Sequence, residues 1–444
     1  MSISPARTAA FDILLQIERE DAYASELLHS QSYLSLSRED HGLATQIVMG
    51  VLRWRSQLDS MLASSSSRPL PKLDAEVKTV LRMGAYQLMH LERVPSHAAV
   101  HESVELVKRA RKTSAAGLVN ALLRKIPRGT KREATPETAS SLAEKYAHPE
   151  WMVSRWVERF GLEASHAICV SDQQVPVTTI RIPGASDAAD ALVQELLTDG
   201  VHLANGALLA SARRVESGDI TKTKAFTEGR VIIQDEASQM VALLAGEGSR
   251  ILDCCAAPGG KTMVLGERNP SAMIVAMDLH PHRARLLRSR VSVTNVHVIA
   301  ADLQSAPFRG TFHCILLDAP CSGTGTLAQH PEIKWRLKAE HIAELHILQV
   351  SLLGAAMNLV APGGTLLYST CSLEREENED VLDRALAGVT DFRVQNLGGK
   401  LLELKKESAL TVADVQGITS GPYLRTLPGL HPCDGFFAAL LERV

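Results

Sequence analysis

The sequence predicts three folds in succession. An all-α domain covers residues 1–135, a small α+β linker subdomain covers 136–240, and a doubly wound, Rossmann-like α/β domain covers 241–444. Three observations carry this prediction. Residues 5–126 show apolar stripes at helical spacing and no strand-like alternation. From residue 249 onward, short apolar runs alternate with helical patterns, as in parallel strands joined by crossover helices. At the head of that alternation, Ile251 and Leu252 lead into Asp253, then Pro258-Gly-Gly260, then a helix from Lys261. A strand, a glycine turn and a helix start bring backbone N–H groups up against a ligand. Glycine permits close main-chain approach because it has no Cβ. The turn is not GxGxxG and does not read as a pyrophosphate clamp.

The 444 residues are 45% apolar and 22% charged, an ordinary globular composition with enough core for several domains. No apolar run approaches the roughly 18–20 residues that cross a bilayer. The start, Met1-Ser-Ile-Ser-Pro-Ala-Arg7, lacks the apolar segment of a signal peptide. Seven cysteines form no CxxC pair and no Cys/His cluster. These features predict a cytoplasmic protein with reduced thiols, no membrane partner and no metal. Net charge is −3, yet nine basic residues and no acid lie between Lys108 and Arg132: Lys108, Arg109, Arg111, Lys112, Arg124, Lys125, Arg128, Lys131 and Arg132. One concentrated basic stretch in an otherwise acidic chain predicts a phosphate-backbone partner.

In the helical domain, Ser37-Arg-Glu-Asp40 caps a helix carrying Leu43, Ala44, Ile47, Val48, Val51 and Leu52 on one face. Val77, Val80 and Leu81 mark another. Pro95-Ser96 opens a helix through Val100, Val104 and Val107, and Ser114 opens a short last one. In the linker, residues 138–147 and Glu150–Phe160 read as helices, with Trp151, Trp156 and Phe160 as core. Strands at Val177–Ile182 and Val231–Ile233, a helix at 188–198 and a helix from Gln234 to Leu244 complete it. In the last domain, strands are expected at Arg250–Asp253, Met273–Asp278, Val296–Asp302, His313–Asp318 and Gly364–Tyr368, with helices at 261–267, 282–289, 339–359 and 374–387. Phe392–Gln395 and Gly435–Leu441 read as an antiparallel edge pair with no helix between them. That ending fits a class I methyltransferase sheet better than a dinucleotide-binding one.

Ligands in such sheets bind beyond the carboxyl ends of the strands, where Asp278, Asp302 and Asp318 fall. A carboxylate about 25 residues past the glycine-turn strand suits a ribose diol, and Asp302 suits an adenine amino group. Each acid alone reads equally as a helix cap. Together with a turn that is no pyrophosphate clamp, they describe S-adenosylmethionine. Asp318-Ala-Pro-Cys-Ser-Gly-Thr-Gly325 and Tyr368-Ser-Thr-Cys-Ser372 then place Cys321 and Cys371 just past neighbouring strands. Cytosine C5 is a poor nucleophile, but adding a thiolate to C6 makes it an enamine carbon that attacks a sulfonium methyl group. A second proton-handling group must then help the C5 proton and the thiolate to leave. Two cysteines and a carboxylate suit that task, with Asp318 stabilising the N3/N4 edge of the base. Ser372 is expected to cap a helix after Cys371, favouring thiolate, against the opposing charge of Glu374, Glu376 and Glu377. Cys169, Cys254, Cys255 and Cys314 read as packing residues.

These motifs resemble the RNA cytosine-5 methyltransferases of the Sun/Fmu (RsmB) type. The resemblance rests on Asp253-Cys-Cys-Ala-Ala-Pro-Gly-Gly-Lys261, the two cysteine motifs, Gln234-Asp-Glu-Ala-Ser-Gln239, His330-Pro-Glu-Ile-Lys-Trp335, Glu376-Glu-Asn-Glu379 and Asp434-Gly-Phe-Phe437. The helical domain resembles a NusB-type RNA-binding domain, as in Leu81-Arg-Met-Gly-Ala-Tyr-Gln-Leu88 and Val119-Asn-Ala-Leu-Leu-Arg124. The resemblance implies a 16S ribosomal RNA enzyme in which Cys371 is the nucleophile and Cys321 assists elimination and product release. It implies a cofactor site lined by Cys255, Ala256, Ala257, Pro258, Gly259, Gly260, Lys261, Asp278, Arg283, Asp302 and Asp318. Three places depart from it: Ile180-Arg-Ile-Pro183 lacks an Asn after the Arg, Gln329 replaces a basic residue, and Arg288–Val296 lacks a glycine turn. Two rivals are a non-catalytic NusB-type RNA-binding protein and a dinucleotide-dependent oxidoreductase. The first is disfavoured by the presence of both cysteines, the second by the lack of GxGxxG.

Overall fold

A computed structural model describes residues 3–20, 22–33, 35–66, 68–127, 136–182, 187–306 and 308–444. The chain forms two compact units, Met1–Val175 with Leu327–Arg336, and Pro176–Thr326 with Leu337–Val444. Among the described residues, no helix is long and apolar enough to cross a membrane, and no group of three or more His, Cys, Asp or Glu could hold a metal.

The first unit is built on helices Pro5–Arg19, Arg38–Arg53, Arg55–Ser65, Ala75–His90, Ser96–Arg109 and Ala116–Leu123. Their apolar stripes meet in a core that includes Ile13, Ile47, Leu58, Leu81, Met83 and Leu106. Ser37 Oγ accepts the Asp40 N–H at 3.1 Å, the cap expected from the sequence. Helices Ala139–Lys145 and Glu150–Asp172 belong to this unit too. The second runs past its expected end at Phe160. Gly161 breaks it in the left-handed region (φ +81°), and the helix then resumes to Asp172.

Residues 327–336 are a loop of the α/β sequence that packs within this helical unit. Lys334 is 1% exposed, and its ammonium donates to the carbonyls of Arg53 (2.8 Å) and Ala147 (3.0 Å). The Trp335 indole donates to the Leu52 carbonyl at 2.6 Å, and the Arg53 guanidinium donates to the Ala328 carbonyl at 2.8 Å. Asp172, fully buried, contacts His148 Nε2 at 3.1 Å. Burial works against the charge on both Lys334 and Asp172, and their mutual attraction opposes that penalty.

The second unit holds two sheets. The smaller is antiparallel, with β1 (Thr179–Arg181), β2 (His202–Asn205), β3 (Ala212–Ser217) and β4 (Ile232–Ile233) in the order β2-β3-β1-β4. The helix Asp187–Thr198 accompanies it. β3 is hidden in the sequence because Arg213, Arg214 and Glu216 interrupt the apolar alternation, and β2 because it is four residues long with one large apolar side chain, Leu203. The larger sheet comprises β5 (Arg250–Asp253), β6 (Met273–Asp278), β7 (Val296–Ala300), β8 (Phe312–Asp318), β9 (Val360–Thr370), β10 (Phe392–Gln395), β11 (Thr419–Ser420), β12 (Tyr423–Arg425) and β13 (Phe437–Arg443). Its order is β11-β12-β13-β9-β8-β5-β6-β7, with β10 also on β13. β5 to β9 pair in parallel, and β13 lies antiparallel beside β9.

Three expectations are corrected here. β10 and β13 do pair antiparallel, Phe392 opposite Arg443, but β13 is internal to the sheet. A helix, Leu397–Lys406, lies between them; Gly398 and Gly399 in its first turn hid it. The helix expected over 374–387 is a 3₁₀ turn at Arg375–Glu377 followed by the helix Glu379–Ala385.

Replacing Lys334 with Met strands two buried carbonyls and leaves Arg53 as the remaining cation acting on the buried Asp172. The expected cost is about 3–5 kcal/mol, a fall of roughly 10 °C in the Tm of the helical unit. An unchanged thermal transition would contradict the role given to this cluster.

Candidate active site

The glycine turn is held from below by Asp253, 1% exposed, whose Oδ2 accepts the Thr262 hydroxyl at 2.7 Å. Burial pushes the Asp253 carboxyl up to about 7. Gly259 sits at φ +112°, a region open to glycine at little cost, and the helix Gly260–Arg268 starts directly after it. The Ala256 N–H is taken by the Met277 carbonyl at 2.9 Å, fixing the turn to β6. Burial and the nearby carboxylates of Asp253, Asp318 and Asp278 hold the Cys255 thiol above its ordinary pKa, consistent with packing rather than reactivity.

Asp278 ends β6 and is 2% exposed. Its Oδ1 accepts the His280 N–H at 3.1 Å, while its buried Oδ2 has no hydrogen-bond donor among the described residues. The nearest cation is Arg283 Nη1, 3.5 Å from that oxygen, and Arg283 Nη2 donates to the Ala257 carbonyl at 3.0 Å. A buried carboxylate oxygen left without a donor beside a bare glycine turn fits a ligand hydroxyl, such as those of a ribose. The chain thus suits the adenosine part of S-adenosylmethionine here. Asp302 is exposed, and its Oδ1 accepts the Gln304 N–H at 3.0 Å, so it does cap a 3₁₀ turn.

Lys261 and Asp318 join the cofactor turn to the cysteine loops. Lys261 Nζ donates to Asp318 Oδ2 at 2.7 Å, and the Ser369 hydroxyl donates to Asp318 Oδ1 at 2.8 Å. Burial lowers the pKa of the Lys261 ammonium, but Asp318, together with Cys371 and Asp253, holds it above its ordinary value. β8 and β9 pair Asp318 with Ser369, so their loops leave the sheet side by side. Cys321 Sγ and Cys371 Sγ lie 3.3 Å apart. Contact with the Cys371 sulfur, burial and the Glu377 carboxylate together hold the Cys321 thiol well above its ordinary pKa, so Cys321 stays protonated.

Ser372 does not cap a helix, since the next one begins at Glu379. Its hydroxyl accepts the Glu374 N–H at 3.0 Å and donates to Glu377. Cys371 therefore gains nothing from a helix N-terminus. Glu377, fully buried, accepts from the Ser322 N–H (2.8 Å), from Gln349 Nε2 (3.0 Å) and from the hydroxyls of Ser322 and Ser372. One carboxyl thus ties the loop of Cys321 to the loop of Cys371. The Gly325 N–H donates to the Cys371 carbonyl at 2.8 Å, and the Leu373 N–H donates to Thr324 Oγ1 at 2.8 Å. A Cβ at Gly325 would stand 2.2 Å from the Gly435 carbonyl oxygen, so only glycine fits. In the sequence Glu377 stands as a charge opposing the thiolate and as part of Glu376-Glu-Asn-Glu379. Its position between Ser372 and Asn378 was visible, but its burial was not.

The expected basic stretch is partly neutralised. Lys108 pairs with Glu105 (2.8 Å), Arg109 with Asp12 (3.0 Å) and Lys112 with Asp74 (2.9 Å). Arg128, Lys131 and Arg132 lie outside the described residues, as does Pro183. Arg181 grips Glu267 with two bonds of 2.6 and 2.8 Å and serves packing.

Glu377→Gln keeps the shape but replaces a common acceptor with an amide. Methyl transfer to RNA is expected to fall about 10²-fold through misplacement of the thiols, with S-adenosylmethionine affinity preserved. Full activity in this variant would remove Glu377 from the account.

Residues 240–442 match the family model for 16S rRNA methyltransferase RsmB/F, residues 4–128 match the NusB family, and residues 148–220 match the ferredoxin-like domain of RsmF/B-like methyltransferases. The probable ribosomal RNA small subunit methyltransferase B of Bacillus subtilis (strain 168) is 32% identical, with 100% of each chain covered. The ribosomal RNA small subunit methyltransferase B of Xanthomonas campestris pv. campestris is 33% identical over 90% of this chain and 89% of that one. A solved structure, that of PH0851, has a TM-score of 0.81 at 25% identity and covers all of both chains. A methyltransferase homolog from Pyrococcus horikoshii has a TM-score of 0.55 at 25% identity, covering 70% of this chain and 100% of that one. A helical NusB domain, a ferredoxin-like subdomain and a mixed-sheet methyltransferase domain follow one another here, and the chain belongs to the 16S rRNA methyltransferase RsmB/F family, whose cofactor is S-adenosylmethionine.

Proposed function

We propose that this protein methylates C5 of one cytosine in 16S ribosomal RNA through a covalent bond between Cys371 and C6 of the base. The observation that carries this reading is the pair of thiols 3.3 Å apart beyond β8 and β9, with Asp318 and Lys261 linking them to the glycine turn. The names of the relatives supply the ribosomal substrate. An enzyme acting on that substrate would work in the cytoplasm. The reading keeps a division into an RNA-binding domain over 1–135, a linker over 136–240 and a catalytic domain over 241–444. In the first of these, Arg111, Arg124 and Lys125, which form no ion pair among the described residues, would hold phosphates.

The residues from Cys255 to Lys261, with Asp278, Arg283, Asp302 and Asp318, would hold S-adenosylmethionine, which supplies an electrophilic methyl group. Cys371, as thiolate, attacks C6, and the displaced electron pair makes C5 nucleophilic. Asp318, positioned by Lys261 and Ser369, faces the N3/N4 edge of a base splayed out of its stack. After C5 is methylated, its proton passes to solvent water, the C5–H electron pair re-forms the C5=C6 bond, and the C6–S bond breaks with its electron pair returning to Cys371. Cys321 stays protonated beside Cys371, so its S–H can donate to the departing sulfur.

The test uses 16S, 23S and transfer RNA from cells lacking the gene, purified protein and methyl-labelled S-adenosylmethionine, with label mapped by RNA, base and position. A single 5-methylcytosine is expected, and Cys371→Ala should lower transfer by at least about 10³-fold. Label confined to transfer RNA or 23S RNA would keep the chemistry and overturn the target. Transfer to no RNA would refute the reading.

A further inference from the structure

Between Leu279 and Ala301 the chain has four arginines, three histidines and no acid. Most of these basic residues lie on or just before the helix Pro281–Arg290, which begins three residues after Asp278 of the cofactor site. His280, His282, Arg283, Arg285, Arg288 and Arg290 are all exposed, and only Ala284 and Leu287 turn inward. Local physics disfavours this arrangement. The positive end of the helix dipole repels cations in the first turn, which carries no acid. Arg285 and Arg288, three apart on one face, repel each other as well. Folding therefore gains little from these charges, and their place calls for an anion from outside.

The cations differ in how they are engaged. Arg283 is committed to Ala257 and Asp278, and Arg288 donates to the Val298 carbonyl at 2.9 Å. Arg285 and Arg290 make no hydrogen bond or ion pair among the described residues. Their state contrasts with Lys108, Arg109 and Lys112, each already paired with an acid. We propose that the exposed face of the Pro281–Arg290 helix docks the phosphate backbone of the substrate RNA, with Arg285 and Arg290 as its phosphate contacts. The proposal rests on the ribosomal RNA reading above and adds a docking surface on the catalytic domain itself. RNA fits better than an acidic protein. Guanidinium forks match phosphate oxygens, and residues 279–301 contain no Trp, Tyr or Phe to anchor a protein interface.

The test compares the full-length protein with the double variant Arg285→Ala/Arg290→Ala, using in vitro transcribed 16S RNA. Binding is measured across a range of salt concentrations, and KM for RNA is measured in the methyl-transfer assay. Loss of two phosphate contacts is expected to reduce the slope of log K against log salt by about 1.4–1.8 and to raise KM for RNA. Calorimetric binding of S-adenosylhomocysteine and the Tm should match wild type, which separates loss of docking from loss of fold. A slope and a KM equal to wild type would overturn the proposal while wild-type methylation still stood, leaving an acidic protein as the occupant of this face. If the wild-type protein methylated no RNA, the underlying reading would fall and this proposal with it.

Discussion

Glu377 is the residue on which the geometry of the thiol pair depends. Burying a carboxyl group in a protein interior is costly unless each oxygen finds donors. Here four donors converge on it: the Ser322 N–H, the Ser322 and Ser372 hydroxyls and Gln349 Nε2. Two of those residues directly follow the cysteines in sequence. The carboxyl cannot be satisfied unless both loops are in place, so the cost of burying it becomes a constraint on where Cys321 and Cys371 stand. The backbone reinforces this through Gly325 and Leu373, and Tyr368 donates its hydroxyl to the Glu377 carbonyl at 2.6 Å.

A second constraint couples that pair to the cofactor turn. Asp318 ends β8, and both its oxygens are engaged, one by Lys261 of the turn and one by Ser369 of β9. The parallel register that sets Asp318 beside Ser369 therefore also aligns the turn after β5 with the loops after β8 and β9. Asp278 closes the other side, with one oxygen capped by the His280 N–H and the other buried and without a donor. A sheet whose strand ends supply three buried or half-buried carboxyls in a row suits a polar, hydroxyl-bearing ligand.

Much of this was legible in the sequence because it is local. Asp253, Pro258-Gly259-Gly260, Asp278 and the two cysteine loops each follow an apolar run and need no distant partner to be recognised. What escaped the sequence depends on distant partners or on diluted patterns. Glu377 stands among Glu374, Glu376 and Glu379, and nothing local says which of them is buried against Ser322 and Gln349. Lys334 falls in His330-Pro-Glu-Ile-Lys-Trp335, but nothing local shows that it is buried against the carbonyls of Arg53 and Ala147. The basic stretch looked uniformly positive because Asp12 and Asp74, which neutralise Arg109 and Lys112, are far away in sequence. The Leu397–Lys406 helix is hidden by two glycines, β3 by Arg213, Arg214 and Glu216, and the four-residue β2 by its single large apolar residue, Leu203.

The most direct measurement of the central claim traps the enzyme on RNA in which the target cytidine is 5-fluorocytidine. Fluorine cannot leave C5 as a proton does, so elimination stops and the protein stays bonded to the base. After digestion with protease and nuclease, mass spectrometry locates the bond. The account predicts a nucleotide attached to the peptide carrying Cys371, with Cys321 unmodified. Attachment at Cys321, or no adduct from a preparation that methylates ordinary RNA, would contradict it.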